Sequence, residues 1–75
     1  MNYIIQRKKI GASKWEFIVQ TQNDSDLEAL IYFSDHMRLM ERVSNETLKD
    51  VQFRLIDGTK SVISSYTPNP YKLAV

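Results

Sequence analysis

A catalytic histidine needs a neighbour that orients it, and this chain holds a single histidine, His36, directly after Asp35. Both fall in a segment with helical periodicity, where adjacent side chains diverge by ~100°, so Asp35 is badly placed to hold that imidazole. There is no Gly-x-Ser-x-Gly elbow, and the absence of cysteine removes a thiol nucleophile, a disulfide and a thiolate zinc site together. Asp24, Asp26 and Glu28 crowd five residues and suggest a divalent-cation loop, but the glycine that turns such a loop is missing. The same residues suit a helix start, with Ser25 as N-cap and Glu28 three residues on. Gly11 and Gly58 stand alone, so no phosphate-cradling loop is written either. The expectation is a chain without catalytic residues, without a metal site and without a cofactor.

Charge offers more than these candidates do. The net charge is +1 over 75 residues, which excludes a polybasic tail and an acidic mimic. Its distribution is uneven. Residues 1–15 carry Arg7, Lys8, Lys9 and Lys14 and no acid, residues 24–50 carry seven acids against three bases, and residues 51–75 return to a balance of +2. Arg7, Lys8, Lys9 and Lys14 are therefore the candidate nucleic-acid contacts. The competing reading is that lysines at a hairpin tip are solvated and keep a sheet edge from pairing with another chain. A nucleic-acid sheet also wants exposed aromatics among its cations, and alternation predicts that Trp15 and Phe17 face inward with Val19.

The elements that would position these residues follow from apolar spacing. Tyr3–Ile10 and Lys14–Thr21 are rich in β-branched and aromatic residues and are split by Gly11-Ala12-Ser13, which reads as a β-hairpin whose glycine can take a positive φ. In the first strand Ile4 and Ile10 lie on one side and Tyr3 and Ile5 on the other, so its inward face stays open. Leu27, Leu30, Phe33, Met37 and Met40 recur every three or four residues and predict a helix from the Ser25 cap to about Arg42 or Val43. Polar residues 44–47 make a linker. Val51, Phe53 and Leu55 alternate with Gln52, Arg54 and Ile56 up to Asp57-Gly58, a hairpin-turn signal, and a last strand runs over Lys60–Tyr66. Thr67–Val75 holds two prolines and reads as an extended arm. The order ββαββ implies an α+β two-layer domain over residues 1–67, with a four-stranded antiparallel sheet, one helix on one face, and an arm over 68–75.

Size and helix geometry then narrow the function. A chain this short buries roughly 60% of its unfolded surface, which leaves little room for a deep cleft and disfavours a pocket enzyme. No apolar run approaches the ~20 residues of a membrane span, and the first residues do not read as a secretory signal, so a cytoplasmic location without membrane contact is expected. At 100° per residue Tyr32, His36, Leu39 and Val43 line a second stripe that one helix on one sheet cannot bury along with the first. Those four are the candidate protein interface, with a homodimer among the ways of covering it. The alternatives are that the helix ends near Met40, or that the C-terminal arm folds back over this face.

Trp15-Glu16-Phe17-Ile18-Val19, the helix entry Ser25-Asp26-Leu27-Glu28-Ala29-Leu30 and the late strand Phe53-Arg54-Leu55-Ile56-Asp57-Gly58 together resemble the small ββαββ accessory proteins of tailed bacteriophages. The likeness covers most of the chain, but its motifs build the fold and transfer no site residues. It implies a non-enzymatic protein of the host cytoplasm that binds and inhibits or redirects a host protein. Beside it stands a function from another class, a nucleic-acid-binding module built on the basic first hairpin.

Overall fold

The computed structural model describes the backbone of residues 1–43 and 50–67 and the side chains of these residues apart from 41–43. The linker and the C-terminal arm expected at 68–75 lie outside the described residues. The elements are β1 (Asn2–Lys9), β2 (Glu16–Gln22), α1 (Asp26–Val43), β3 (Val51–Ile56) and β4 (Val62–Tyr66), which is the expected ββαββ order. They form an α+β fold with one four-stranded antiparallel sheet in the order β2-β1-β3-β4. β1 sits between β2 and β3, antiparallel to both, and α1 carries the chain from the β2 edge across to β3.

The layers meet along a single apolar cluster. Tyr3 and Ile5 of β1 and Val51, Phe53 and Leu55 of β3 are buried against Ala29, Phe33 and Met37 of α1. Tyr3 and Ile5 are therefore the inward pair in β1, and the alternation expected of β3 holds from Val51 to Leu55, whereas Ile56, expected on the outward face, is buried as well at 4% exposure. Helix entry is fixed by its cap. Ser25 Oγ accepts from the Glu28 N–H at 3.3 Å, while Glu28 Oε2 accepts from the Asp24 N–H at 3.1 Å, one residue upstream of the usual reciprocal bond. Leu27 departs from the expected stripe, being 67% exposed. At 100° per residue it lies about 120° round the helix from Phe33, beyond the arc that the sheet covers.

β2 also departs from simple alternation. Ile5 pairs with Val19 and Gln6 with Phe17, so Ile18 is an extra residue opposite β1, a β-bulge. The bulge lets Ile18 and Val19 both pack against the core. It also reverses everything before it. Phe17 falls on the sheet face away from the helix, in register with Gln6, and is 62% exposed, where alternation alone had placed it inward. Trp15 goes the same way: it stacks with Lys8 and Arg54 instead of entering the core.

The two hairpins turn differently. Lys9 C=O accepts from the Ala12 N–H at 2.9 Å with Gly11 at φ 93°, the positive φ expected there, as in a type II turn. At the other hairpin Asp57 and Ser61 are joined by backbone bonding at 3.0 Å, and it is Lys60, not Gly58, that adopts the left-handed region, at φ 68°. That is a three-residue loop closed by a left-handed residue, not the two-residue turn that Asp-Gly usually signals. The Asp57 carboxylate holds the loop, accepting from the Thr59 N–H at 2.9 Å, the Thr59 hydroxyl at 2.7 Å and the Ser61 N–H at 3.0 Å. These bonds stabilise its charged form and hold its carboxyl below the usual carboxylate range, the Thr59 hydroxyl contributing most.

Candidate functional site

Among the described residues, the one-helix, one-sheet sandwich has two surfaces outside its core, the outer side of the helix and the side of the sheet away from the helix. On the helix, residues four apart form a ridge that drifts by ~40° per turn, and Leu27, Ile31, Asp35 and Leu39 occupy successive positions on it. Three of these four are large and apolar, and each is more than half exposed, at 67%, 56% and 59%. The sequence interface shares Leu39 with this ridge. Tyr32 and His36 run beside it, their rings stacked at 6.3 Å and 16°. Both are half-buried, and Tyr32 packs partly against the core. Val43 ends the helix, and of the candidate interface it is the one whose side chain falls outside the described residues. The apolar stripe read from sequence takes Leu27 for core and does not include Ile31; the i,i+4 spacing of the two is the signal that sets them on the ridge.

The acids at the helix start serve the fold. Glu28 closes the cap, and Asp26 Oδ1 accepts a 2.7 Å hydrogen bond from the Tyr3 hydroxyl, tying α1 to the central strand β1. That bond, together with burial and the nearby carboxylates, pushes the Tyr3 hydroxyl up to about 12. Among the described residues no three His, Cys, Asp or Glu side chains gather as metal ligands. None of their helices is long and apolar enough to cross a membrane.

The four basic candidates do not share a face. Arg7 lies on the helix side of the sheet, in register with Phe53, and pairs with Glu16 at 3.1 Å. Lys9 is exposed on that same side, and Lys14 is exposed in the hairpin loop. Lys8 alone of the three strand cations lies on the open side, where its ammonium stands 5.0 Å from the centre of the Trp15 ring. Arg54 joins it from β3, its guanidinium 4.2 Å from the same ring. Arg54 Nε–H also donates to Gln6 Oε1 at 2.7 Å. The alternation of β3 had already placed Arg54 outward; the bulge that brings Trp15 and Phe17 to it has no signature in one sequence.

An open groove of ≈ 310 Å³ runs between α1 and β4, with Phe33, Met37, Arg38, Ser64 and Tyr66 among its walls. Among the described residues that line it there is no carboxylate or imidazole. No protein-family model matches the chain, and neither does any curated protein or solved structure.

Proposed function

We propose that this chain is a non-enzymatic binding protein that acts by docking on a protein partner, as a phage-encoded inhibitor or modulator of a host protein does in the host cytoplasm. The observation that supports this reading is the helix ridge. Leu27, Ile31 and Leu39 keep more than half of their surface in water although the same helix buries Ala29, Phe33 and Met37. An i±4 ridge is the feature that one helix inserts into the groove of another, so the partner surface is an apolar groove, in the simplest case between side chains of a helix. Asp35 lies in the ridge and Asp24, Asp26 and Glu28 lie at the helix start beside it, against Arg38. That rim favours basic residues around the partner groove, and it sets like charges against each other in a two-fold pairing of the ridge with itself.

The test compares the wild type with the triple variant Leu27→Ser, Ile31→Ser, Leu39→Ser. Since these side chains are mostly solvated, circular dichroism should show the variant folded, while a complex captured from a nuclease-treated bacterial lysate by the wild type should be lost. Light scattering over a range of concentrations identifies a homodimer, which would be the partner if the captured species is the chain itself. Unfolding of the variant, or a complex that survives it, refutes the reading.

A further inference from the structure

The open side of the sheet brings together a set of groups that the protein-contact reading does not use. Its cross-strand rows can be followed through the register: Gln20, Ile4 and Ile56 in one, which is closed at its buried Ile56 end; Phe17, Gln6 and Arg54 in the next; then Lys8 beside Gln52. Two cations stand in these rows, the exposed Lys14 lies in the adjoining loop, and the rows contain no acid. The helix side is the reverse. There Arg7 is neutralised by Glu16, and α1 begins with Asp26 and Glu28.

Arg54 is the centre of the face. Its Nε–H is fixed by Gln6 and its guanidinium carbon lies over the Trp15 ring, so both contacts anchor the side chain before any ligand arrives. Among the described residues its two terminal amino groups have no acceptor in the protein, and that end of a guanidinium matches two oxygens of a phosphate. On the other side of Gln6, across β1 and roughly 10 Å from Arg54 at ordinary strand spacing, Phe17 is 62% exposed. An exposed phenyl ring beside an anchored cation, among described rows that hold amide side chains and no acid, suits a ligand that alternates flat aromatic groups with anions. A carboxylate-rich peptide would engage the cations and leave the ring without a role.

We propose that this face binds single-stranded nucleic acid, with Arg54 and Lys8 on phosphates, Phe17 stacked on a base, and Trp15 as the platform that holds the two cations. The site differs from the set chosen on sequence, of which it keeps Lys8 and, at its margin, Lys14. It goes beyond the helix ridge and is independent of it, since the two surfaces lie on opposite layers and neither needs the other.

Trp15 is the sole tryptophan, so its fluorescence reports directly on the site. The protein is titrated with a 12-nucleotide thymidine oligomer at several salt concentrations, and in parallel with an abasic oligomer of equal length and with polyglutamate. The oligomer should change the Trp15 signal and bind with a log–log salt slope of about −1.4 to −2, the value for two or three phosphate contacts on a single strand. Phe17→Ala should lower affinity roughly 5- to 150-fold at an unchanged slope, because it removes a stacked base and no charge. Arg54→Gln or, should that variant unfold, Lys8→Gln should reduce the slope by about 0.7. Leu39→Ser should bind as the wild type does. Absence of oligomer binding refutes the proposal, as does an abasic strand or polyglutamate that binds equally tightly, or a Phe17→Ala variant with unchanged affinity.

Discussion

Phe17 and Phe53 are the same residue type in neighbouring parts of one sheet, yet Phe17 is 62% exposed and Phe53 is 0% exposed, and that contrast gives a quantitative test of which face is the core. A phenylalanine offers about 200 Å² of surface, so the covered third of Phe17 is about 75 Å², worth about 2 kcal/mol as an upper bound at 25 cal/mol per Å². Alanine keeps part of that contact, and at an open site no cavity is left. Phe17→Ala should therefore cost about 1–1.5 kcal/mol. Phe53→Ala leaves a void among Tyr3, Ile5, Phe33 and Leu55 and should cost about 3–5 kcal/mol. A domain of 75 residues has a total stability of about 4–11 kcal/mol, so the second change takes about three times the share of it that the first does. Urea unfolding followed by circular dichroism separates them. With a slope of about 1 kcal/mol per M, Phe17→Ala should lower the midpoint by about 1–1.5 M, and Phe53→Ala by 3 M or more or to the point of unfolding in buffer. Equal losses would mean that the Trp15-Phe17 face is buried and offers no surface to a ligand.

Four further outcomes follow from local geometry. Gly58 has no positive φ, and a Cβ there would meet only the Asn2 carbonyl oxygen at 3.7 Å, so Gly58→Ala should be neutral or stabilise by up to about 1 kcal/mol in thermal melts. Lys60 does hold the left-handed conformation, so Lys60→Val should destabilise by more than about 1 kcal/mol while Lys60→Gly is tolerated; the reverse order would mean a two-residue Asp-Gly turn. The raised Tyr3 hydroxyl favours the protonated form in the folded state. Its stabilising contribution is complete below pH 10, the ordinary tyrosine value, and is lost as pH climbs to about 12, a decline that Tyr3→Phe should remove from melting curves across that window. Asp57 has the opposite sign. Its lowered carboxyl stabilises the fold above the ordinary value of 3.8 and ceases to do so as pH falls below it, so Asp57→Asn should flatten the acid limb of the stability profile.

Much of the fold was legible because it rests on strong local signals. The alternation of Val51, Phe53 and Leu55 against Gln52 and Arg54 placed β3, and the Ser25 cap with the Phe33-Met37 spacing placed α1. β2 was legible as a strand but not in its facing, since one bulged residue, Ile18, turns Phe17 and Trp15 to the other side, and a bulge is decided by pairing with β1 and not by β2 alone. The Asp57 turn shows the same limit. Its dipeptide marks a turn, but the side-chain bonds to Thr59 and Ser61 choose the longer loop. At the surfaces, Leu39 was visible as excess apolar residue on the helix, whereas the row from Phe17 through Gln6 to Arg54 joins three separate strands and exists only once they pair.

The protein-contact reading is tested most directly by a photo-reactive phenylalanine analogue placed at Ile31, on the helix ridge, and separately at Gln22, on the far edge strand. Each variant is irradiated in producing bacteria. The account predicts one discrete protein adduct from Ile31, absent when Leu27 and Leu39 are serine and absent from Gln22. No adduct from Ile31, or the same adducts from both positions, would contradict it.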